Sequence, residues 1–325
     1  MTPRDEPAIP EAIPHNLGIG ELRCLQDLES RVRWLSSWTI HHANHIRGQG
    51  DTLKVGGHQA SCASAVTLMT ALYFHALRPQ DRVAVKPHAS PVFHAIQYLM
   101  GHQSREHLES FRAKGGAQSY PSRTKASDDV DFSTGSVGLG PAMTAFSSIV
   151  QDYLRRHHDD LRRKEPGRMI AVVGDAEMDE GNMYEALWEG WKHDLRNCWW
   201  IIDYNRQSLD GVVTDYLFRL IDRLFRTTGW RVLTLKYGKR MMAAFRRPGG
   251  KALKKWINDC PNDLYSALTF QGGAAWREHL MADLAEDPAV AALIDGYTDD
   301  DLQALMTNLG GHCLETVLDA FATAA

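Results

Sequence analysis

A chain of 325 residues, 44% of them hydrophobic, is long enough to bury one large core or two ordinary ones, and its formal net charge of −4 gives no overall basic footprint for nucleic acid. The five cysteines, Cys24, Cys62, Cys198, Cys260 and Cys313, are odd in number, widely spaced and without a Cys-x-x-Cys pair, which argues against a disulfide framework and against structural zinc. No run of about 18 apolar residues is present to span a membrane, and the stretch MTPRDEPAIPEAIPHN lacks the apolar core of a signal peptide, so a cytoplasmic, reduced protein is expected.

Residues 1–20 are rich in proline and acid and read as an extended arm; residues 21–325 read as one domain. Leu25, Leu28, Val32, Leu35 and Trp38 recur at helical spacing and predict a helix over 21–47. The turn VGGHQAS opens a second helix over 59–77. DRVAVK is a short buried strand, PHASP a turn, and 92–101 a helix. The polar stretch 113–136 has the composition of a long loop, and loops of that length are commonly functional. It runs into VGLGP and a helix carrying Pro141 in its first turn, a position proline favours. Strand 168–173, helix 180–193, strand 197–203, helix 215–226 and a strand in WRVLTLKYG follow. Strands alternating with helices define an α/β fold, a parallel sheet flanked by helices on both faces. The basic runs RRHHDDLRRK and GKRMMAAFRR mix with apolar residues at helical spacing and read as solvated helix faces.

A strand-helix-strand crossover brings the residues just past both strand ends to one edge of the sheet. Asp175 and Asn205 hold those positions, and neighbouring strand ends lie about 5 Å apart. A carboxylate, a side-chain amide and a main-chain carbonyl near Gln207 supply hard oxygen ligands of the kind that suit magnesium, whose remaining positions go to phosphate and water. The run GSVGLGP, ahead of a helix, lets backbone amides approach an anion closely. A diphosphate with magnesium is the implied cargo.

The spacing from Gly174-Asp175 to Asn205 resembles the thiamine-diphosphate fingerprint. The motifs GGHQAS, PHASP, SYP, VGLGP, GDAEMDE, NRQSLDG and a late GGH occur in the order found in the homodimeric, bacterial-type pyruvate dehydrogenase first component, of the transketolase-like superfamily. The resemblance covers roughly residues 20–323. It implies thiamine diphosphate and Mg2+ as cofactors, with Asp175, Asn205 and the main-chain carbonyl of Gln207 as metal ligands. Ser61, His88, the backbone of Ser136, Val137, Gly138 and Leu139, and Gly174, Ala176 and Glu177 fall at cofactor positions. His58 and His88 match active-site histidines. An imidazole can orient the carboxylate of a 2-oxo acid or exchange protons with its carbonyl. His94, His157, His158, His41 and His42 read as structural.

Two positions depart from the family. Ala176 stands where glycine is usual, and Asp203 where the first of two asparagines is often found. The chain also corresponds to one domain of a longer family polypeptide, whose second domain binds the aminopyrimidine and carries the catalytic glutamate. The expectation is therefore a split enzyme, with that domain on a separate subunit in an α2β2 heterotetramer. The reaction implied is decarboxylation of a 2-oxo acid and transfer of the acyl unit to a lipoyl arm, an aldehyde or a ketone. Ketol transfer from a ketose, as in transketolase, and a non-catalytic regulatory homologue are the alternatives. Glu177, Asp179 and Glu180 are left over beside Asp175. Asp179 and Glu180 suit the positive end of the helix that follows, while the resemblance implies a subunit interface or a proton relay for the acidic residues here.

Overall fold

The computed structural model describes residues 13–48, 55–125, 129–133, 135–204, 207–208, 211–212 and 217–325. Two compact units are present, one built on Leu17–Gly211 with Phe218–Val232 and the other on Leu233–Ala325.

In the first unit the order is α1 (Ile19–His41), α2 (Gln59–Ala71), β1 (Arg82–Ala84), α3 (Ser90–Leu99), α4 (Arg105–Glu109), α5 (Leu139–His157), α6 (Asp159–Arg162), β2 (Met169–Gly174), α7 (Gly181–Lys192), β3 (Cys198–Asp203) and α8 (Leu217–Thr227). The two early helices run to within a residue of the ends that periodicity predicted. Each closes in a single π-helical turn, His42–Ile46 after α1 and Leu72–Ala76 after α2.

The strands form one parallel sheet of order β1-β2-β3, with Val83 opposite Ile170, Ala171 opposite Trp200 and Gly174 opposite Asp203. Every residue of β2 is buried. Side chains alternate between sheet faces, so full burial requires cover on both, and the continuous apolar run MIAVVG is the sequence form of that demand. On one face Ala171 and Val173 pack with Met183 and Leu187 of α7 and Phe225 of α8. At the amino edge the buried Asp81–Arg168 ion pair fixes β1 against β2. Asp131, from the 113–136 stretch, accepts the Val83 amide at 2.8 Å and so satisfies the open side of β1.

The strand expected in WRVLTLKYG does not form. Over 230–238 only Tyr237 pairs, in an isolated antiparallel bridge with Leu309. Trp230 is held by its ring, 4.8 Å from Trp200 and 5.7 Å from Phe225, and from Leu233 onward the chain belongs to the other unit.

The second unit contains α9 (Lys239–Phe245), α10 (Gly250–Asp259), α11 (Asn262–Gln271), α12 (Gly273–Leu284), α13 (Pro288–Asp295), α14 (Asp299–Met306) and α15 (Leu314–Ala324). Its core is Met241, Leu253, Trp276, Leu280, Val290, Leu302 and Met306. Ile13 and His15 donate their amides to Thr323 and Asp319 of α15, each at 2.8 Å. The GGH motif, Gly310–His312, forms a 3-10 turn here.

Candidate active site

The pairing of Gly174 with Asp203 sets the carboxyl ends of β2 and β3 side by side. Directly after β2 a 3-10 turn, Asp175–Asp179, buries Asp175 to 3% exposure, and Asp175 Oδ1 accepts the Ala176 amide at 3.1 Å. Asn205 lies outside the described residues. The backbone of Gln207–Ser208 forms a short strand close to the Asp175–Asp179 turn.

The glycine loop reaches the same place through Glu177. Its carboxylate is buried and accepts two amides, Gly174 N–H on Oε1 at 2.9 Å and Gly138 N–H on Oε2 at 2.8 Å. Burial pushes the Glu177 carboxyl up, opposed by these two hydrogen bonds and by the charge of Lys86. Gly138 has φ +76° and immediately precedes α5. A Cβ there would stand 2.6 Å from Asn182 Oδ1 and 2.8 Å from Glu180 Cβ, so only glycine lets this loop approach the start of α7. The acidic run thus divides: Asp175 faces the expected ligand edge, Glu177 braces two loops, and Asp179 and Glu180 are exposed where α7 begins.

The VGGHQAS turn arrives from the other side. Asn44 exchanges two hydrogen bonds with Gly56, each 2.9 Å, and Arg112 donates to the Val55 carbonyl. His58 then caps α2, and its ring lies 4.2 Å from that of His88 in the PHASP turn. Ser64, one turn along α2 from Ser61, donates to Asp203 Oδ2 at 2.6 Å, which pins the helix to the end of β3. Partial burial, followed by the charges of Arg112 and Lys86, holds the His58 pKa below its ordinary value. His88 is lowered likewise, first by burial and then by His58, Lys86 and Arg112. Both imidazoles are accordingly neutral near pH 7 and able to accept protons. Cys62 donates to the His88 carbonyl at 3.5 Å, and burial pushes its thiol up to about 12, so no thiolate competes here. His94, by contrast, is buried between Gln103 and the Gln118 carbonyl and serves the fold.

These residues fit a diphosphate with a hard cation. Ser61 Oγ is buried without a hydrogen-bond partner among the described residues, a state that a ligand oxygen would relieve. No group of three or more His, Cys, Asp or Glu among the described residues forms a metal site. The expected magnesium set requires only one such side chain, Asp175, with its other protein oxygens from Asn205 and the Gln207 carbonyl. Lys86 and Arg112 were not picked out from sequence. The signal for Lys86 was present, since it ends the apolar run VAVK and must therefore emerge at the same edge as Asp175. Arg112 comes from a distant polar loop and carries no such signal.

The α/β fold and this sheet edge are those of the N-terminal domain of the thiamine-diphosphate-dependent transketolase and pyruvate dehydrogenase E1-like proteins. The profile of the 1-deoxy-D-xylulose-5-phosphate synthase family matches residues 43–279, and the chain belongs to that family. The pyruvate dehydrogenase E1 component of Escherichia coli K12 is 29% identical over 313 residues, covering 93% of this chain and 34% of the relative. That of Cupriavidus necator is 30% identical over 311 residues, covering 92% and 34%. The chain therefore spans about a third of the length of the curated relatives it matches. Among solved structures, transketolase from Leishmania mexicana superposes with TM-score 0.56 at 18% identity, over 64% of this chain and 31% of that one. A transketolase from Pichia stipitis gives 0.55 at 19%, with the same coverage. At such identities these two matches establish the fold. No helix among the described residues is long and apolar enough to cross a membrane.

Proposed function

We propose that this chain is the diphosphate-binding part of a thiamine-diphosphate and magnesium-dependent enzyme that cleaves a 2-oxo acid and transfers the acyl unit, and that a partner subunit supplies the pyrimidine-binding domain and its catalytic glutamate, as in an α2β2 heterotetramer. The observation that carries this reading is convergence: motifs far apart in sequence meet at one sheet edge, with the adjacent His58 and His88 rings joined to Asp203 through α2, and Asp203 paired with Gly174.

Asp175, Asn205 and the Gln207 carbonyl would hold Mg2+. Gly174, Ala176, Ser61 and the backbone of Ser136–Leu139 would hold the diphosphate, with Glu177 bracing the loops from behind. When bound, thiamine diphosphate supplies a carbon nucleophile and an electron sink for cleaving the bond beside a 2-oxo carbonyl. The residues of this chain do the rest. Lys86 and Arg112 make the approach favourable to an anionic substrate, and His58 and His88, neutral near pH 7, orient its carboxylate or exchange a proton with its carbonyl oxygen.

A partner is supported by an exposed apolar face. Phe146, Val150 and Tyr153 on α5 and Tyr184, Trp188 and Trp191 on α7 are all exposed, on two helices that pack together and both begin at the site. Such a face on adjacent elements marks association. A second reading, carbon-carbon bond formation with an aldehyde acceptor in place of a lipoyl arm, is favoured by the match to a synthase family named for a sugar phosphate.

The test is calorimetry of thiamine diphosphate with Mg2+ against the chain with its partner, followed by carbon dioxide release from pyruvate with and without an aldehyde. Binding lost in Asp175→Ala and turnover absent from the chain alone are expected. Full turnover without the partner would overturn the split, and absence of binding in the complex would favour a non-catalytic homologue.

A further inference from the structure

The strand order places β2 between β1 and β3, so a contact from the end of β1 to the end of β3 has to pass over the end of β2. Lys86, two residues beyond β1, makes that crossing. Its Nζ lies 2.8 Å from Asp203 Oδ2, with the two side chains 5% and 8% exposed. The passage runs over Gly174, where a Cβ would stand 3.1 Å from Lys86 Cε. Asp203 Oδ2 also accepts Ser64 Oγ from α2. One carboxylate oxygen thus gathers the end of β3, the turn that carries His88, and the helix that begins at His58.

We propose that Lys86, locked by Asp203, is a positioning residue of the candidate active site, tying the carboxyl ends of the sheet to α2 and presenting a fixed positive charge to the His58–His88 pair. This rests on reading that edge as the site. Taking either charge out of water alone is costly, while together, with the Ser64 hydrogen bond, they satisfy one another. The charge that Asp203 adds where the family often has asparagine therefore has a dedicated partner. The field of Lys86 reaches both imidazoles and Glu177, and Arg112 is the other cation acting on the histidines. The same pair therefore holds the geometry and biases the electrostatics of the pocket.

A cycle of K86Q, D203N and K86Q/D203N separates the two roles, with K86R as the charge-retaining control. Each single change strands a buried charge and is expected to lower the melting temperature. In the double variant two amides can bond to each other, and most of that loss should be recovered. The reporting measurement is the imidazole titration of His58 and His88 by NMR on the chain alone, which needs neither cofactor nor partner. In K86Q/D203N both midpoints should move up by about half a pH unit, and in K86R they should stay. With the partner present, KM for an anionic substrate should rise about fivefold in the double variant, with kcat changed less. Unchanged midpoints in the refolded double variant would overturn the proposal and leave a purely structural ion pair. Should the double variant fail to fold, the single variants still decide, since K86Q must raise both midpoints and K86R must not. If thiamine diphosphate fails to bind the wild-type complex while the midpoints still move, the functional reading fails and the electrostatic one stands.

Discussion

Glu177 accepts the Gly138 amide at 2.8 Å across 39 positions of sequence, and through its other oxygen it holds Gly174 at 2.9 Å. A carboxylate is suited to this, having two acceptor oxygens and no donor. Glu177→Gln keeps one acceptor and turns an NH2 toward the other amide. The expected loss is about 1–3 kcal/mol, read from urea unfolding, together with weaker thiamine-diphosphate binding. Glu180→Gln, at an exposed position, should stay within about 0.5 kcal/mol. Equal effects from the two changes would remove the bracing role from Glu177.

Gly138 and Gly181 flank the same turn region but differ in what surrounds them. At Gly138 φ is +76° and a Cβ meets Asn182 and Glu180 below 3 Å, whereas at Gly181 nothing lies within 4 Å. Gly138→Ala therefore combines left-handed backbone strain with a clash, and a loss of about 2 kcal/mol or more is expected. Gly181→Ala lies at the first position of α7 and should be neutral or mildly stabilising. Paired denaturation curves for the two variants check this.

What the sequence disclosed and what it hid follow from the range of the interactions. Strand ends, crossovers and the site edge depend on local periodicity and on glycine, so Gly174, Asp175, His58 and His88 could be placed by order along the chain. The Lys86–Asp203 pair spans 117 positions and the Ser64–Asp203 bond 139. No local pattern announces such pairs, although an acid at the end of an apolar strand already demands a donor. WRVLTLKYG reads as a strand because its apolar residues suit one, yet in the fold Trp230 is held by ring contacts and only Tyr237 pairs, in a single bridge. The seven helices after residue 238 build a second core around Trp276, a division that composition alone does not mark.

Burial and nearby cations hold the pKa values of both His58 and His88 below the ordinary 6.5. Unfolded chains take up these protons near 6.5, while the folded chain takes them up only at lower pH. In that window the unfolded state binds more protons, so stability is fully present above about pH 6.5 and falls as pH drops below it. The melting temperature of the wild type should therefore decline more steeply on acidification than that of His58→Asn/His88→Asn, in which this contribution is absent. A parallel decline in both proteins would show that the pair is not held neutral by the fold.

Trp188 and Trp191 form an edge-to-face pair on α7, ring centroids 5.9 Å apart, with exposures of 52% and 55%. Their helix begins directly after the acidic turn of the candidate site, so the proposed partner, in completing that site, would be brought against them. Aromatic residues that are half exposed in a free chain and covered in a complex are the usual anchors of an interface. Trp188→Glu should leave the melting temperature of the isolated chain within the range of a surface change while weakening association with the partner at least about tenfold, the scale of one lost anchor. Sedimentation of labelled chain against increasing partner measures both affinity and any self-association. Unchanged affinity in Trp188→Glu and Trp191→Glu together would move the interface away from this face, and loss of a self-associated species alone would assign the face to a second copy of the chain.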